Sequence, residues 1–177
     1  MFAATSNEGA HESVAWPASE ATYAIGVHSC KDGGSAKSDT VALPSENGAN
    51  FMVVGEKIIS QRPTSQNGGF TLCTGSSFAA PVATAIGALV LAFMRQAVCK
   101  DEFEKANDVV HVDDIHTNRG MIKVLKAIST RPDNTGYYSL STKMFWAKYY
   151  PVVGGVQNEE KAKEHAWRII IDALRYS

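Results

Sequence analysis

Apolar positions fall into short runs up to residue 73, one long run after it, and spaced patterns further on. Residues 1–5 read as the end of a buried strand, and Tyr23 to His28 is a β-rich run bounded by the turn-forming Lys31-Asp32-Gly33-Gly34-Ser35. Thr40 to Leu43, Phe51 to Val54, Ile58-Ile59 and Phe70 to Cys73 are further short apolar runs. The polar stretch Gln61 to Gly69, with Pro63, Asn67, Gly68 and Gly69, predicts a loop. From about Ser77 to Cys99 every helical face is apolar, which predicts a helix buried all round. Pro81 is expected in its first turn, where a missing N–H has no partner to lose. Small residues such as Ala79, Ala80, Ala83 and Gly87 would let strands approach it closely.

The pattern changes after Lys100. Lys100 to Asn118 is charged and reads as an exposed linker or frayed helix. Met121, Ile122, Leu125 and Ile128 are spaced as one face of a helix over Gly120 to Ile128, and Arg131-Pro132-Asp133-Asn134 breaks it. The aromatic-rich Tyr137 to Tyr150 suggests another packed helix, and Pro151 to Gly155 a turn. Asn158 to Arg175 is an amphipathic surface helix with Ala162, Ala166, Ile169, Ile170, Ala173 and Leu174 on one face. These elements predict an α/β fold, with residues 1–99 as its body and 100–177 as a mostly helical tail.

Composition bounds the function. The 177 residues are 45% hydrophobic and 20% charged, which is ordinary for a globular protein. A net charge of −1 supplies no electrostatic footprint for nucleic acid or an anionic membrane. Cys30, Cys73 and Cys99 are scattered, with neither metal spacing nor a disulfide framework. His111-Val112-Asp113-Asp114-Ile115-His116 holds metal-capable groups but matches no metal-site spacing, so a solvated acidic surface is expected there, with no metal and no cofactor. The run Phe78 to Met94 is short for a membrane span and contains Pro81, Thr84 and Gly87. No basic leader-type segment opens the chain, which leans toward an intracellular location without fixing a compartment.

The candidate chemistry lies at the mouth of the long helix. In Cys73-Thr74-Gly75-Ser76-Ser77-Phe78-Ala79-Ala80-Pro81, a glycine turn delivers a serine to a helix start whose free N–H groups favour negative charge. An ordinary helix cap would also place a serine there. The segment resembles the nucleophile motif G-T-S-[MF]-A-x-P of the subtilisin-like serine peptidases, with Ser77 on the nucleophile and Ser76 in place of Thr. Phe2-Ala3-Ala4-Thr5-Ser6-Asn7-Glu8-Gly9 is similar to the family's A-A-G-N-E-G segment, with Ser6 replacing Gly. Ala15-Trp16-Pro17-Ala18 resembles its Y-P-A segment, Thr22 to Val27 its V-I-A-V-G, and Asn47-Gly48 with Val53 to Ile58 its S-x-G and A-P-G-x-x-I stretches, Val54 replacing Pro. The pieces occur in the family's order from about Met1 to about Ala97, and Asn7 and Ser77 lie 70 positions apart.

The resemblance implies a partial subtilisin-like fold, a mostly parallel sheet around the buried Ser77 helix, and a serine endopeptidase acting on polypeptides through an acyl-enzyme. Ser77 would attack, and Asn7 with the Ser77 N–H would hold the oxyanion. Ala4, Ser6, Ala15 and Trp16 would line one wall of the specificity pocket. In subtilisin the triad order is Asp, His, Ser; no matching D-[ST]-G or H-G-T segment precedes Asn7, and His11, His28 and His165 do not fit the base. The chain is therefore expected to be the C-terminal half of the catalytic domain, its Asp and His belonging to a missing N-terminal half, and to be inactive alone. A catalytically dead module kept for protein binding, or a truncated fragment without independent activity, are the alternatives. Loss of half a sheet would leave an edge strand and apolar helix faces exposed.

Overall fold

The computed structural model describes residues 1–7, 9, 13–31, 43–96, 112–131, 136–142 and 159–175. His11, Asp32 to Ser35, residues 40–42, most of the Lys100 to Asn118 linker, Pro132 to Asn134, Lys143 to Tyr150 and the Pro151 to Gly155 turn lie outside them. The chain divides into two compact units, residues 1–84 with 131–139, and residues 85–130 with 140–177.

The first unit is built on parallel strands β1 (Phe2–Ala4), β2 (Ile25–Cys30), β3 (Asn50–Val54) and β7 (Tyr138–Leu140). β1 runs beside β2 with Ala4 opposite Val27, β2 beside β3 with Cys30 opposite Val54, and β3 beside β7 with Phe51 opposite Tyr138. β2 is buried at every position, as a parallel strand flanked on both sides should be. Tyr138–Leu140 thus forms a strand where aromatic density suggested a helix. Tyr138 suits an extended strand, and pairing with β3 satisfies backbone groups that aromatic content says nothing about.

A hairpin of β4 (Ile58–Gln61) and β5 (Phe70–Cys73) departs from the parallel pattern. Its loop carries a 3-10 turn at Thr64–Gln66 and three left-handed residues, Asn67, Gly68 and Gly69. One face of the hairpin presents Ile59, Phe70 and Leu72, at 73%, 75% and 63% exposure.

Helix α1 (Ser76–Met94) follows directly. Gly75 is its cap, because the Gly75 carbonyl accepts from Phe78 and Ala79. Pro81 therefore lies in the second turn rather than the first, and removes the N–H that would have reached the Ser77 carbonyl. The helix is not buried all round. Ala79, Ala83, Ile86, Val90 and Phe93 are buried, whereas Val82 and Leu89 are exposed. An all-apolar helix is buried only when every face has a neighbour, and composition cannot supply one. By length and composition alone the helix could also cross a bilayer.

The second unit contains a 3-10 turn at Val112–His116, α2 (Asn118–Ala127), β6 (Ser129–Thr130) and α3 (Glu159–Arg175). Thr117 caps α2, its Oγ1 accepting from the Gly120 N–H at 3.0 Å and donating to the Asp114 carbonyl at 2.7 Å. Met121, Ile122, Val124, Leu125 and Ile128 form the buried face, and α2 packs on α3. α3 buries Ala162, Ala166, Trp167, Ile170, Ile171 and Leu174. Trp167 and Ile171 take the places that the sequence pattern assigned to Ile169 and Ala173, a rotation of the stripe within the tolerance of a 3.6-residue period.

Candidate active site

In a parallel sheet the carboxyl ends of the strands converge on one edge, where loops carry polar groups without breaking the ladder. Two such ends meet here. β1 runs out through Thr5 into Ser6 and Asn7, and β3 into Gly55. The Gly55 carbonyl accepts from the Gly75 N–H at 2.9 Å, so the turn before α1 is fastened to the end of β3. A Cβ on Gly55 would meet Ala79 at 2.8 Å and the Gly75 carbonyl at 2.9 Å.

The β1 exit and the helix start are then joined side chain to backbone. Asn7 Oδ1 accepts from the Ser76 N–H at 2.6 Å, across 69 positions of sequence. Ser76 Oγ donates to the Ser6 carbonyl at 3.1 Å and lies 3.4 Å from the Ser6 N–H. Gly75 adopts φ +149°, a region L-residues rarely enter, which lets the chain turn from β5 into the helix beside Asn7.

This arrangement sorts the two serines. Ser76 is buried and spends its hydroxyl on Ser6, whereas Ser77 is exposed. Ser77 occupies the second helical position, where the N–H has no intrahelical acceptor and the helix dipole is positive. Because Asn7 Oδ1 is held by Ser76, its Nδ2 is the end of the carboxamide left to donate. Among the described residues, no group bonds to Ser77 Oγ, to its N–H or to Asn7 Nδ2.

The remaining candidates are distributed unevenly. Ala4 ends β1 and Ser6 adjoins Ser76. Ala15 is tied to the same segment, its N–H donating to the Thr5 carbonyl at 3.0 Å. Trp16 is 73% exposed, and its ring leans on Tyr23 at 6.1 Å; no hydrogen bond or ring contact among the described residues joins it to Asn7 or Ser77.

His28 is a fully buried β2 residue, 3.1 Å from Thr5 Oγ1 through Nδ1 and 3.3 Å from Asn50 Oδ1 through Nε2. Burial pushes its pKa down to about 4, outweighing the Asn50 bond that raises it. His116 and His165 lie in the second unit. No cluster of three His, Cys, Asp or Glu side chains is placed to hold a metal among the described residues.

Two features escaped sequence reasoning. A Ser-Ser pair does not reveal which hydroxyl is buried, and the Thr5–His28–Asn50 network is visible only through register. With Ala4 opposite Val27 and His28 opposite Met52, Thr5, His28 and Asn50 fall on neighbouring strands near one level.

Comparison with known proteins bears on this geometry. The chain is 44% identical over 178 residues to the subtilisin-like protease het-Q2 of Podospora anserina, an alignment covering 99% of the chain. The chain is thus similar to a subtilisin-like protease along nearly its whole length. It spans about half of that relative, 48% of its length. The subtilisin-like fold recurs in two solved structures. These are the prenylagaramide maturation protease PagA (TM-score 0.55, 22% identity, 93% of this chain and 50% of that one) and an S218A mutant of the PatA protease domain (TM-score 0.55, 20% identity, 81% and 45%). No family model matches the chain. Its mixed α/β architecture with a mostly parallel sheet is that of a partial subtilisin-like fold, and its kinship is with serine proteases.

Proposed function

We propose that this chain carries the nucleophile and the oxyanion site of a subtilisin-like serine endopeptidase. The observation that carries this is the Asn7–Ser76 bond of 2.6 Å beside the exposed Ser77. Ser77 Oγ attacks the scissile carbonyl of a polypeptide. The negative charge developing on that oxygen is held by Asn7 Nδ2 and the Ser77 N–H, two donors already oriented before substrate arrives. Collapse expels the amine and leaves an acyl-enzyme on Ser77, which water hydrolyses. Ala4, Ser6 and Ala15, close to the same edge, form part of the pocket wall, with Trp16 at its outer limit.

A serine hydroxyl attacks poorly without an adjacent base. His28 cannot serve, since Thr5 and Asn50 occupy its two nitrogens. In this reading the base and its carboxylate belong to the part of the catalytic domain that the chain, spanning 48% of its relative, does not cover, and the chain by itself is inactive. In subtilisin, removing the catalytic His alone costs about 2 × 10⁶ in turnover, which sets the scale of the loss.

The competing reading is a non-catalytic binding module, favoured by the apolar hairpin face of Ile59, Phe70 and Leu72. A fluorophosphonate probe separates the two. The chain alone should label at Ser77 barely above a Ser77→Ala control. The chain joined to the remaining part of the Podospora relative should label strongly, and only with Ser77 intact. Absence of Ser77-dependent labelling in the joined protein overturns the peptidase reading, and strong labelling of the chain alone overturns the external base.

A further inference from the structure

The proton positions around His28 follow from Asn50. Asn50 Nδ2 donates to the Ser45 carbonyl at 2.8 Å and reaches that of Gly48 at 3.5 Å, while its Oδ1 accepts from the Ser45 N–H at 2.9 Å. The amide is therefore fixed with its oxygen toward the imidazole, and His28 Nε2 must carry the proton. A neutral ring then offers Nδ1 as an acceptor, and the group facing it is the Thr5 hydroxyl. That hydroxyl also lies 3.2 Å from the Val27 carbonyl, but Val27 already accepts from the Thr5 N–H. The imidazole lone pair has no substitute donor among its described partners, so the Thr5 proton goes to it.

Thr5 stands two residues before Asn7, and its carbonyl also takes the Ala15 N–H at 3.0 Å. One residue past β1, it is still bonded to β2 through its N–H on the Val27 carbonyl, just before the chain turns at Ser6, whose φ is +139°. We propose that His28 is a positioning residue for Asn7: by accepting from Thr5 it sets the angle at which Ser6 and Asn7 leave β1, and so holds the Asn7 carboxamide on the Ser76 N–H. The catalytic meaning of this clamp rests on the oxyanion role proposed for Asn7; the clamp itself does not.

The ring's surroundings make the clamp depend on the neutral imidazole. Thr5 faces it from the end of β1, Asn50 from β3, and the Tyr137 ring stands edge-on at 5.0 Å from the segment entering β7. The titratable group among these is the Tyr137 phenol, whose pKa burial raises, so it stays neutral wherever His28 titrates. No carboxylate among these partners stabilises an imidazolium, and burial acts against it.

Hydrogen exchange of the Ser76 amide reports the clamp without requiring activity, with the Val53 amide as internal reference for global opening. Thr5→Val removes the hydroxyl at nearly constant volume. His28→Gln can reach Asn50 but not Thr5, whereas His28→Asn can present an oxygen near the Nδ1 position. Thr5→Val and His28→Gln should speed Ser76 exchange about tenfold relative to Val53, and His28→Asn should restore most of the protection. Equal relative protection in all variants, or equal loss in both His28 variants, overturns the proposal. A normal probe-labelling rate for Asn7→Leu in the joined protein would instead sink the oxyanion reading and leave the clamp standing.

Discussion

Gly75 and Asn7 leave no space between them: a Cβ built on Gly75 would lie 2.9 Å from Nδ2 of Asn7 and 3.0 Å from its Oδ1. Gly75→Ala must therefore displace the carboxamide while holding alanine at φ +149°. Backbone strain of about 1–3 kcal/mol and a lost hydrogen bond of about 1 kcal/mol predict a total cost of roughly 2–4 kcal/mol. Urea titration should show the midpoint falling accordingly; an unchanged midpoint would mean that the turn has another conformation.

Substitution can separate the bond Asn7 makes to Ser76 from the oxyanion role proposed for it. Asn7→Asp keeps an oxygen for the Ser76 N–H and adds negative charge at a helix N-terminus, worth about 0.3–1 kcal/mol in favour of folding. Asn7→Leu loses the acceptor. Stability should hold or rise in the first and drop by about 1–2 kcal/mol in the second. In the joined protein both should lose acylation rate by about 10²–10³, since neither keeps a donor. Retained acylation in Asn7→Asp would remove Asn7 from the oxyanion site.

Ser6 occupies φ +139°, a conformation suited to glycine, where the family motif has glycine. Its N–H and carbonyl, not its side chain, meet Ser76. Ser6→Gly relieves about 1–3 kcal/mol of strain and adds about 0.5–1 kcal/mol of unfolded-state entropy. A net gain of about 1 kcal/mol is expected by thermal or urea unfolding, and a net loss would show that the serine is unstrained.

Acid should weaken the fold through His28. Its pKa is about 4 in the folded chain against 6.5 ordinarily, so between those values the unfolded chain binds a proton that the folded chain refuses. Stability is then complete above pH 6.5, falls as the pH drops toward 4, and loses about 3 kcal/mol over that window. His28→Leu should flatten this slope whatever it does to absolute stability. A wild-type profile flat across that same window would place His28 in contact with solvent.

The hairpin face predicts self-association. Ile59 pairs with Leu72 and Gln61 with Phe70, so the three exposed apolar side chains lie on one side of β4–β5. Changing Ile59, Phe70 and Leu72 together to Thr preserves strand propensity and should cut dye binding and light scattering, while stability shifts by less than about 1 kcal/mol. Large destabilisation would reveal that this face is covered.

The pairing of Asn7 with the turn before α1 was legible without coordinates. Motif order alone coupled Asn7 to the Ser77 turn, and the structure bonds Asn7 to Ser76, the neighbouring residue. The runs Tyr23 to His28, Phe51 to Val54, Ile58-Ile59 and Phe70 to Cys73 were readable because β-rich runs and turn residues act over a few positions, and observed strands overlap each of them, β4 extending to Gln61, where the polar pattern predicts a loop. The strand at Tyr138–Leu140 was not, because its conformation depends on β3 being available beside it.

What the sequence by itself determined is local: most of the strands and helices, the glycine turn and the apolar helix. Only the tertiary structure decided which serine hydroxyl is buried and which is exposed, that Thr5, His28 and Asn50 share one proton network, and that Leu89 and Val82 on α1 face outward. Those outcomes turn on strand register and on which surfaces meet. Both are set by contacts between residues far apart in the chain, which no local pattern encodes.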